Sequence, residues 1–246
     1  MIKKTIHTDI ALRITIVFLL SFVAGSGNAQ QNSEIEKKKR LVGWTVGSAF
    51  HTGALLTHHS YMSILKEKNA WFTELYMAKQ ADGSQPWHSF LGFPDYGLKF
   101  SVISVGSPTY IGKAYTLHPF VKFYLLKNNR RFHPSIGLGV GPAYIEKIFD
   151  RHTNYKNTAI GSHINAFLQL QLDLNIRITY NVYAFTGFAF SHFSNGSYKK
   201  PNAGINIATA KIGVGYSFRQ PKDRPKLNDY EEAEELVFRK WSYRAI

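Results

Sequence analysis

Cysteine is absent from the 246-residue sequence. Its absence excludes disulfide bonds, thiolate catalysis, Cys-ligated zinc and a lipid anchor on an N-terminal cysteine. Acidic residues are scarce, with 16 Asp and Glu against 30 Lys and Arg, and the formal net charge is +14. A net positive charge suits binding to nucleic acid, to an anionic membrane surface or to a phosphorylated glycolipid. The cellular location of the chain decides among these partners.

Long apolar runs are also missing after the N-terminal region. Residues 1–29 begin with a basic segment, continue through an apolar run from Ile14 to Val23, and end with small residues before Gln30. This pattern predicts a secretory signal peptide cleaved before Gln30. An uncleaved anchor is the alternative, although the run is shorter than the about 20 residues of a spanning helix. Any later membrane crossing must therefore use strands, and we expect no nucleic-acid partner for an exported chain.

The chain is instead rich in alternation between apolar and polar residues. In AFLQLQLDLNIRITY, residues 166–180, Leu and Ile occupy every second position, and mostly polar residues lie between them. A strand that crosses a bilayer needs about 9–11 residues with apolar side chains outward and polar side chains inward. Eight segments of this kind are present, at about 41–52, 70–79, 95–106, 110–126, 133–146, 166–180, 181–194 and 205–218. The sequence therefore predicts an all-β fold, an eight-stranded antiparallel transmembrane β-barrel.

The barrel is expected to span residues 41–219, with a periplasmic lead-in at 30–40 and a periplasmic tail at 220–246. So small a barrel is filled by side chains and is not a pore. A row of glycines on one face of the fifth segment leaves room for large interior side chains. A polar interior set of Gln169, Asp173, Arg177 and Lys211 indicates a structural hydrogen-bond and ion-pair network.

The segment SHFSNGSYKKPNAGIN, residues 191–206, joins the last two predicted strands. Because alternate residues share a face, His192 and Ser194 are expected to point outward toward lipid, together with Asn206 on the next strand. A histidine near a serine can take its proton and make it a nucleophile, and a third polar group can fix the imidazole tautomer. Asn195, Asn202 and the backbone at Gly196 are candidates to stabilise an oxyanion. By spacing alone, a His-x-Ser pair is more often ordinary sequence than a catalytic site.

His192-Phe193-Ser194-Asn195, followed by Lys200-Pro201-Asn202-x-Gly204-Ile205, resembles a motif of the outer-membrane lipid A 3-O-deacylases, the PagL family. These proteins are eight-stranded barrels that remove an ester-linked 3-hydroxyacyl chain from lipid A. The resemblance implies that His192 is the general base and Ser194 the nucleophile, in a protein of the bacterial outer membrane that acts on lipopolysaccharide. The family carries a glutamate at the position that matches Asn206. Asparagine supplies no negative charge to an imidazolium, although a Cys-His-Asn arrangement functions in papain-like enzymes.

Three lysines are candidates to bind the phosphates of a lipid A head group, and a solvated loop is the equal alternative for them: Lys113, Lys199 and Lys200. His58 and His59 are adjacent and His51 is nearby, but adjacent strand residues point to opposite faces, so we expect no metal site. No cofactor is expected. A non-enzymatic barrel for binding or adhesion and an outer-membrane phospholipase are the alternative functions, and a homodimer is left open.

Overall fold

The computed structural model describes residues 43–125 and 132–218. The predicted signal peptide, the lead-in at 30–40 and the tail at 220–246 lie outside the described residues. These three assignments therefore stay predictions from the sequence.

The described residues form a closed antiparallel barrel of eight strands, in which each strand pairs with the next and the last pairs with the first. This arrangement confirms the fold class predicted from the alternation of apolar and polar residues. The strands are β1 (Trp44–Leu56), β2 (Ala70–Gln80), β3 (Asp95–Ser104), β4 (Lys113–Tyr124), β5 (Phe132–Ile145), β6 (Ile164–Arg177), β7 (Val182–Ser194) and β8 (Ile205–Ser217).

Two short helices lie in the connections. A 3-10 helix, Ser60–Leu65, lies between β1 and β2, and the α-helix α1, Pro86–Phe90, lies between β2 and β3. No helix in the described residues is long and apolar enough to cross a membrane. The connections 57–69, 105–112, 146–163 and 195–204 share one end of the barrel, which we call the loop end.

Strand β6 shows how the sequence sets the two faces of the barrel wall. Leu170 and Leu172 are 46% and 56% exposed on the outside, whereas Gln169 and Gln171 are buried inside. Apolar side chains thus meet the surroundings and polar side chains fill the interior, which is the reverse of a soluble sheet and is typical of a strand in lipid.

The interior changes in character along the barrel axis. Near the loop end, an apolar cluster that includes Phe72, Phe167 and Phe193 continues into the connections. A charged layer follows, where Lys99 Nζ lies 3.0 Å from Glu74 Oε1 and Lys211 Nζ lies 2.9 Å from Asp173 Oδ1. A second apolar cluster of Ala49, Tyr76, Ala78, Phe120 and Phe185 lies beyond it. The barrel is therefore packed with side chains along its length.

The predicted polar network is present, with one correction. Gln169, Asp173 and Lys211 are buried in the interior, but Arg177 is exposed. Arg177 is the last residue of β6, so its side chain lies at the end of the barrel away from the loop end. A long charged side chain at such a position can reach water, whereas the interior would require a buried partner.

Candidate active site

The outer face of β7 changes from aromatic to polar as the strand approaches the loop end. Phe188 and Phe190 are exposed on this face, and His192 and Ser194 continue it, each partly exposed. Ser191 and Phe193 between them are buried inside the barrel. His192 and Ser194 therefore point out of the barrel wall, as the alternation predicts.

The register between β7 and β8 places His192 directly opposite Asn206. The His192 Nδ1 and Asn206 Oδ1 atoms are 2.6 Å apart. An amide oxygen can only accept a hydrogen bond, so His192 Nδ1 carries the proton and donates it. In the neutral ring, the lone pair is then on Nε2, which is the nitrogen free to act as a base.

The hydroxyl of Ser194 is held by two donors from the connection that follows it. Asn202 Nδ2 donates to Ser194 Oγ at 3.0 Å, and the backbone N–H of Gly196 donates at 3.2 Å. Among the described residues there is no direct hydrogen bond between His192 and Ser194. Catalytic hydrogen bonds are often long or unformed without substrate, and they shorten when the reacting group binds.

Gly204 gives the imidazole its space. A Cβ atom at this position would lie 3.0 Å from His192 Cε1, and the backbone has a positive φ of 84° that side chains rarely adopt. A residue with a side chain would be strained and would also press on the ring. The glycine therefore belongs to the site although it has no reactive group.

A groove of about 590 Å³ lies in the outer wall beside the His192–Asn206 pair. Phe190 is two residues before His192, and it lies opposite Ala208, which is two residues after Asn206. The groove is lined by the aromatic residues Phe188 and Phe190 of β7, the small residues Ala208 and Ala210 of β8, and aliphatic residues of β5 and β6. An apolar chain fits such a surface, and a polar group does not.

The sequence model of the lipid A 3-O-deacylases, PagL, matches residues 73–215, which include the whole of β7 and the His192-x-Ser194 motif. The chain belongs to the PagL family. Membership places it among the lipid A deacylases of the bacterial outer membrane. A comparison with curated proteins finds no match.

A search of solved structures finds outer-membrane barrels at low sequence identity. Neisserial surface protein A has a TM-score of 0.51 at 9% identity, covering 71% of this chain and 97% of its own. The outer-membrane enzyme PagL has a TM-score of 0.46 at 16% identity, covering 68% and 97%. The N-terminal barrel domain of Pseudomonas aeruginosa OprF has a TM-score of 0.40 at 9% identity, covering 70% and 97%. At 9% identity, the likeness to Neisserial surface protein A supports the fold alone.

Asn195, one of the candidates to stabilise an oxyanion in this PagL-family chain, has no free donor. Its side-chain Nδ2 donates to Ser162 Oγ at 2.9 Å and to the carbonyl of Lys199 at 2.8 Å. Its backbone N–H donates to Asn202 Oδ1 at 3.1 Å. The donors of Asn195 are therefore engaged within the loop end, and the donors that reach Ser194 Oγ are Asn202 Nδ2 and the Gly196 N–H.

The lysine candidates divide into two groups. Lys199 and Lys200 are exposed in the connection that begins next to Ser194. Lys113 is exposed at the start of β4, three strands away around the barrel, where its backbone N–H donates to Glu146 Oε2 at 2.8 Å. That hydrogen bond lowers the pKa of the Glu146 carboxyl. Only Lys199 and Lys200 therefore lie on the same connection as the candidate site.

Sequence reasoning missed one neighbour of the site. Asn206 Nδ2 lies 3.3 Å from Nδ1 of His58, in the connection between β1 and β2. The sequence analysis considered His58 only in connection with a metal site, which it did not expect. The described residues contain no group of three or more His, Cys, Asp or Glu side chains that could hold a metal ion. The connection has no alternation that would predict its path. The sequence offered one indication of the contact between His58 and Asn206. His58 follows β1, and β1 is next to β8 in a closed barrel of eight strands.

Proposed function

We propose that this member of the PagL family hydrolyses the ester of a 3-hydroxyacyl chain at the 3-O position of lipid A, with Ser194 as nucleophile and His192 as general base. The observation that carries the proposal is the His192–Asn206 hydrogen bond two residues from Ser194, on the outer face of the barrel. Polar side chains that face lipid are costly, and they usually mark function.

The reaction begins when a lipid A ester lies against the outer wall at the loop end. Ser194 and His192 are separated by about 7 Å at their Cα atoms, a distance that a His ring can span. His192 Nε2 takes the proton of Ser194 Oγ as the oxygen attacks the acyl carbonyl. The imidazolium then gives that proton to the departing sugar oxygen. Water, deprotonated by the same nitrogen, releases the fatty acid from Ser194 in the second half of the reaction.

Asn202 Nδ2 and the Gly196 N–H are the proposed oxyanion donors. Both now donate to Ser194 Oγ, so they lie within hydrogen-bond reach of the atom that forms the new bond. A carbonyl oxygen bound beside Oγ can take over these two donors as it becomes negative. The Asn195 N–H fixes the Asn202 amide in this orientation before the substrate arrives.

The groove and the loop lysines account for the two parts of the substrate. Long connections of outer-membrane barrels face outward, so the loop end is assigned to the outer leaflet. The apolar groove beside the site suits an acyl chain that runs down into the bilayer. Lys199 and Lys200 are exposed at the level of the head group and are proposed to bind its phosphates.

Mass spectrometry of lipid A from cells that express the protein tests the proposal. The parent protein is compared with Ser194→Ala and His192→Ala at equal amounts of folded barrel. Ser63→Ala, a change at an exposed serine of the 3-10 helix, is the matched control. We expect loss of one 3-hydroxyacyl mass with the parent and the control, and intact lipid A with the other two variants.

Two results would count against this function. Intact lipid A with all four proteins would favour a barrel that binds without catalysis. Purified protein that cleaves glycerophospholipid vesicles and leaves lipid A vesicles unchanged would identify a phospholipase instead. A substrate panel containing both lipids therefore separates the three candidate functions.

A further inference from the structure

Asn206 lies between two imidazole rings. Its Oδ1 is 2.6 Å from Nδ1 of His192, and its Nδ2 is 3.3 Å from Nδ1 of His58. These are the two hydrogen bonds of the Asn206 side chain within the described residues. The first ring belongs to the proposed catalytic pair, and the second lies in the exposed connection between β1 and β2.

An amide at this position has a direction that a carboxylate lacks. A carboxylate presents two acceptors, so it accepts from His192 Nδ1 in either orientation. An amide presents one acceptor and one pair of donors. If the Asn206 amide is reversed, Nδ2 faces His192, the ring must accept at Nδ1, and its proton moves to Nε2. His192 can then no longer take a proton from Ser194.

We propose that His58 is a positioning residue that selects the productive orientation of the Asn206 amide. A neutral His58 with an unprotonated Nδ1 accepts from Asn206 Nδ2, and this leaves Oδ1 directed at His192. The inference rests on the proposed function, since it assigns His58 a part in keeping His192 basic. His58 acts through Asn206 and does not contact the ester.

The same geometry makes the site sensitive to acid. From β8, the group that faces His58 is Asn206, and from its own connection it is His59, whose ring centroid is 4.6 Å away. Once His58 is protonated, its Nδ1–H can only donate, and the amide turns Oδ1 toward it. The Asn206 Nδ2 then faces His192, so protonation of His58 switches the base off.

The test is the pH dependence of deacylation by the purified full-length protein in lipid A micelles. When activity requires one neutral base, a plot of log rate against pH has a slope of about 1 below the pKa of that base. When activity requires two neutral histidines, the slope below both of their pKa values is about 2. We expect the steeper limb for the parent. His58→Gln keeps an acceptor for Asn206 that cannot be protonated, so it should retain neutral-pH activity with the shallower limb.

Two further variants separate positioning from general damage. His58→Ala removes the acceptor and should lower the rate at neutral pH about fivefold. In an Asn206→Glu background the carboxylate needs no orienting partner, so adding His58→Ala should leave the rate unchanged. His152→Gln, at an exposed histidine of another connection, is the matched control and should keep the steep acid limb.

Nuclear magnetic resonance of 15N-labelled histidine gives a readout that does not need activity. Protonated and unprotonated ring nitrogens have well-separated 15N shifts, so the spectrum of His192 reports its tautomer. We expect a proton on Nδ1 in the parent and in His58→Gln, and a partial transfer to Nε2 in His58→Ala.

The outcomes distinguish the two proposals. Ser194-dependent deacylation with equal slopes and equal tautomers in all His58 variants would overturn the role of His58 and leave the proposed function intact. An inactive parent would overturn the function, and the 15N spectra would then decide separately whether His58 orients Asn206.

Discussion

The motif resemblance implies a glutamate at the position of Asn206 in the PagL family, and the two residues differ in charge. In the proposed mechanism, His192 becomes a cation when it takes the serine proton, and a carboxylate stabilises that cation more strongly than an amide oxygen does. The 2.6 Å contact places the Asn206 oxygen at His192 Nδ1, the position that the proposed mechanism assigns to the acceptor. In that mechanism, asparagine therefore differs from glutamate in the charge that it offers His192 and not in its position.

Asn206→Glu should raise kcat/KM for lipid A by about tenfold, because a charge-assisted hydrogen bond is worth roughly 1.4 kcal/mol more than a neutral one at this step. Asn206→Gln is the control, since it has the same added methylene and no charge. Initial rates of fatty-acid release measure both. Equal rates for the two variants would show that the negative charge has no effect here.

Asn202 allows the donor and acceptor functions of one side chain to be tested separately. Asn202→Asp keeps an oxygen for the N–H of Asn195 but loses the donor to Ser194 Oγ. We expect kcat to fall by about 10² in this variant and in Asn202→Ala, because loss of one oxyanion donor has an effect of that size. Single-turnover release of fatty acid measures it. A near-normal rate in Asn202→Asp would assign Asn202 to loop structure alone.

At the scale of residues, alternation on β7 and β8 was enough to predict that His192, Ser194 and Asn206 share the outer face. Their spacing within strands is local, and strand geometry fixes it. The contact of His58 with Asn206 and the hydrogen bonds of Asn195 could not be predicted, because both depend on the path of connections that contain no periodic pattern. The contact of His58 with Asn206 joins residues 148 positions apart in the chain.

At the scale of single strands, the glycines of β5 make room for a large interior side chain. A Cβ atom at Gly139 would lie 2.6 Å from His118 Cδ2, whereas one at Gly137 would meet its nearest neighbour, Gln171, at 3.5 Å. The space was predicted from the glycine row, and its occupant comes from the neighbouring strand β4. The two positions share a face and a strand but differ in crowding.

Gly139→Ala should therefore lower the free energy of unfolding by about 1–3 kcal/mol, as expected for overpacking, and Gly137→Ala should change it little. Urea unfolding in lipid vesicles, followed by tryptophan fluorescence, measures the two variants. Adding His118→Ala should recover part of the loss in Gly139→Ala. A similar loss at both glycines would attribute the effect to backbone freedom and not to His118.

The outer surface of β8 supplies the second test at this scale. Ala210→Phe places a large ring in the groove, whereas Ile212→Phe changes the next outward residue, which is already 65% exposed and does not line it. We expect Ala210→Phe to lower kcat/KM roughly tenfold for a long acyl chain and little for a short ester. Release of fatty acids of different lengths measures the change. No dependence on chain length would exclude the groove as the acyl site.

At the scale of the whole molecule, the packed interior predicts that the barrel does not conduct ions. An apolar cluster fills the part near the loop end, and the Glu74–Lys99 and Asp173–Lys211 pairs lie in the layer next to it. Water and ions would have to displace buried apolar side chains to pass. Planar-bilayer recordings should show no conductance steps, and regular steps would contradict the packing.

The barrel itself was predictable because lipid imposes a strict alternation on every strand that crosses it. Each predicted segment overlaps one observed strand, and the largest differences are at strand ends such as that of β1, which continues to Leu56. The end of a strand depends on its hydrogen bonds with the neighbouring strands, so the sequence of one strand alone does not determine where it ends. The comparisons do not support the homodimer that the sequence left open.

The outward direction of Ser194 determines how the protein meets its proposed substrate. A site on the side of the barrel is reached by lateral diffusion within the leaflet, and neither the ester nor the trimmed lipid has to enter water. The encounter is two-dimensional, so the relevant concentration is the mole fraction of lipid A among its neighbours. Diluting lipid A with inert detergent at a fixed bulk amount should therefore slow the reaction, whereas adding more micelles of the same composition should not raise the turnover of a saturated enzyme.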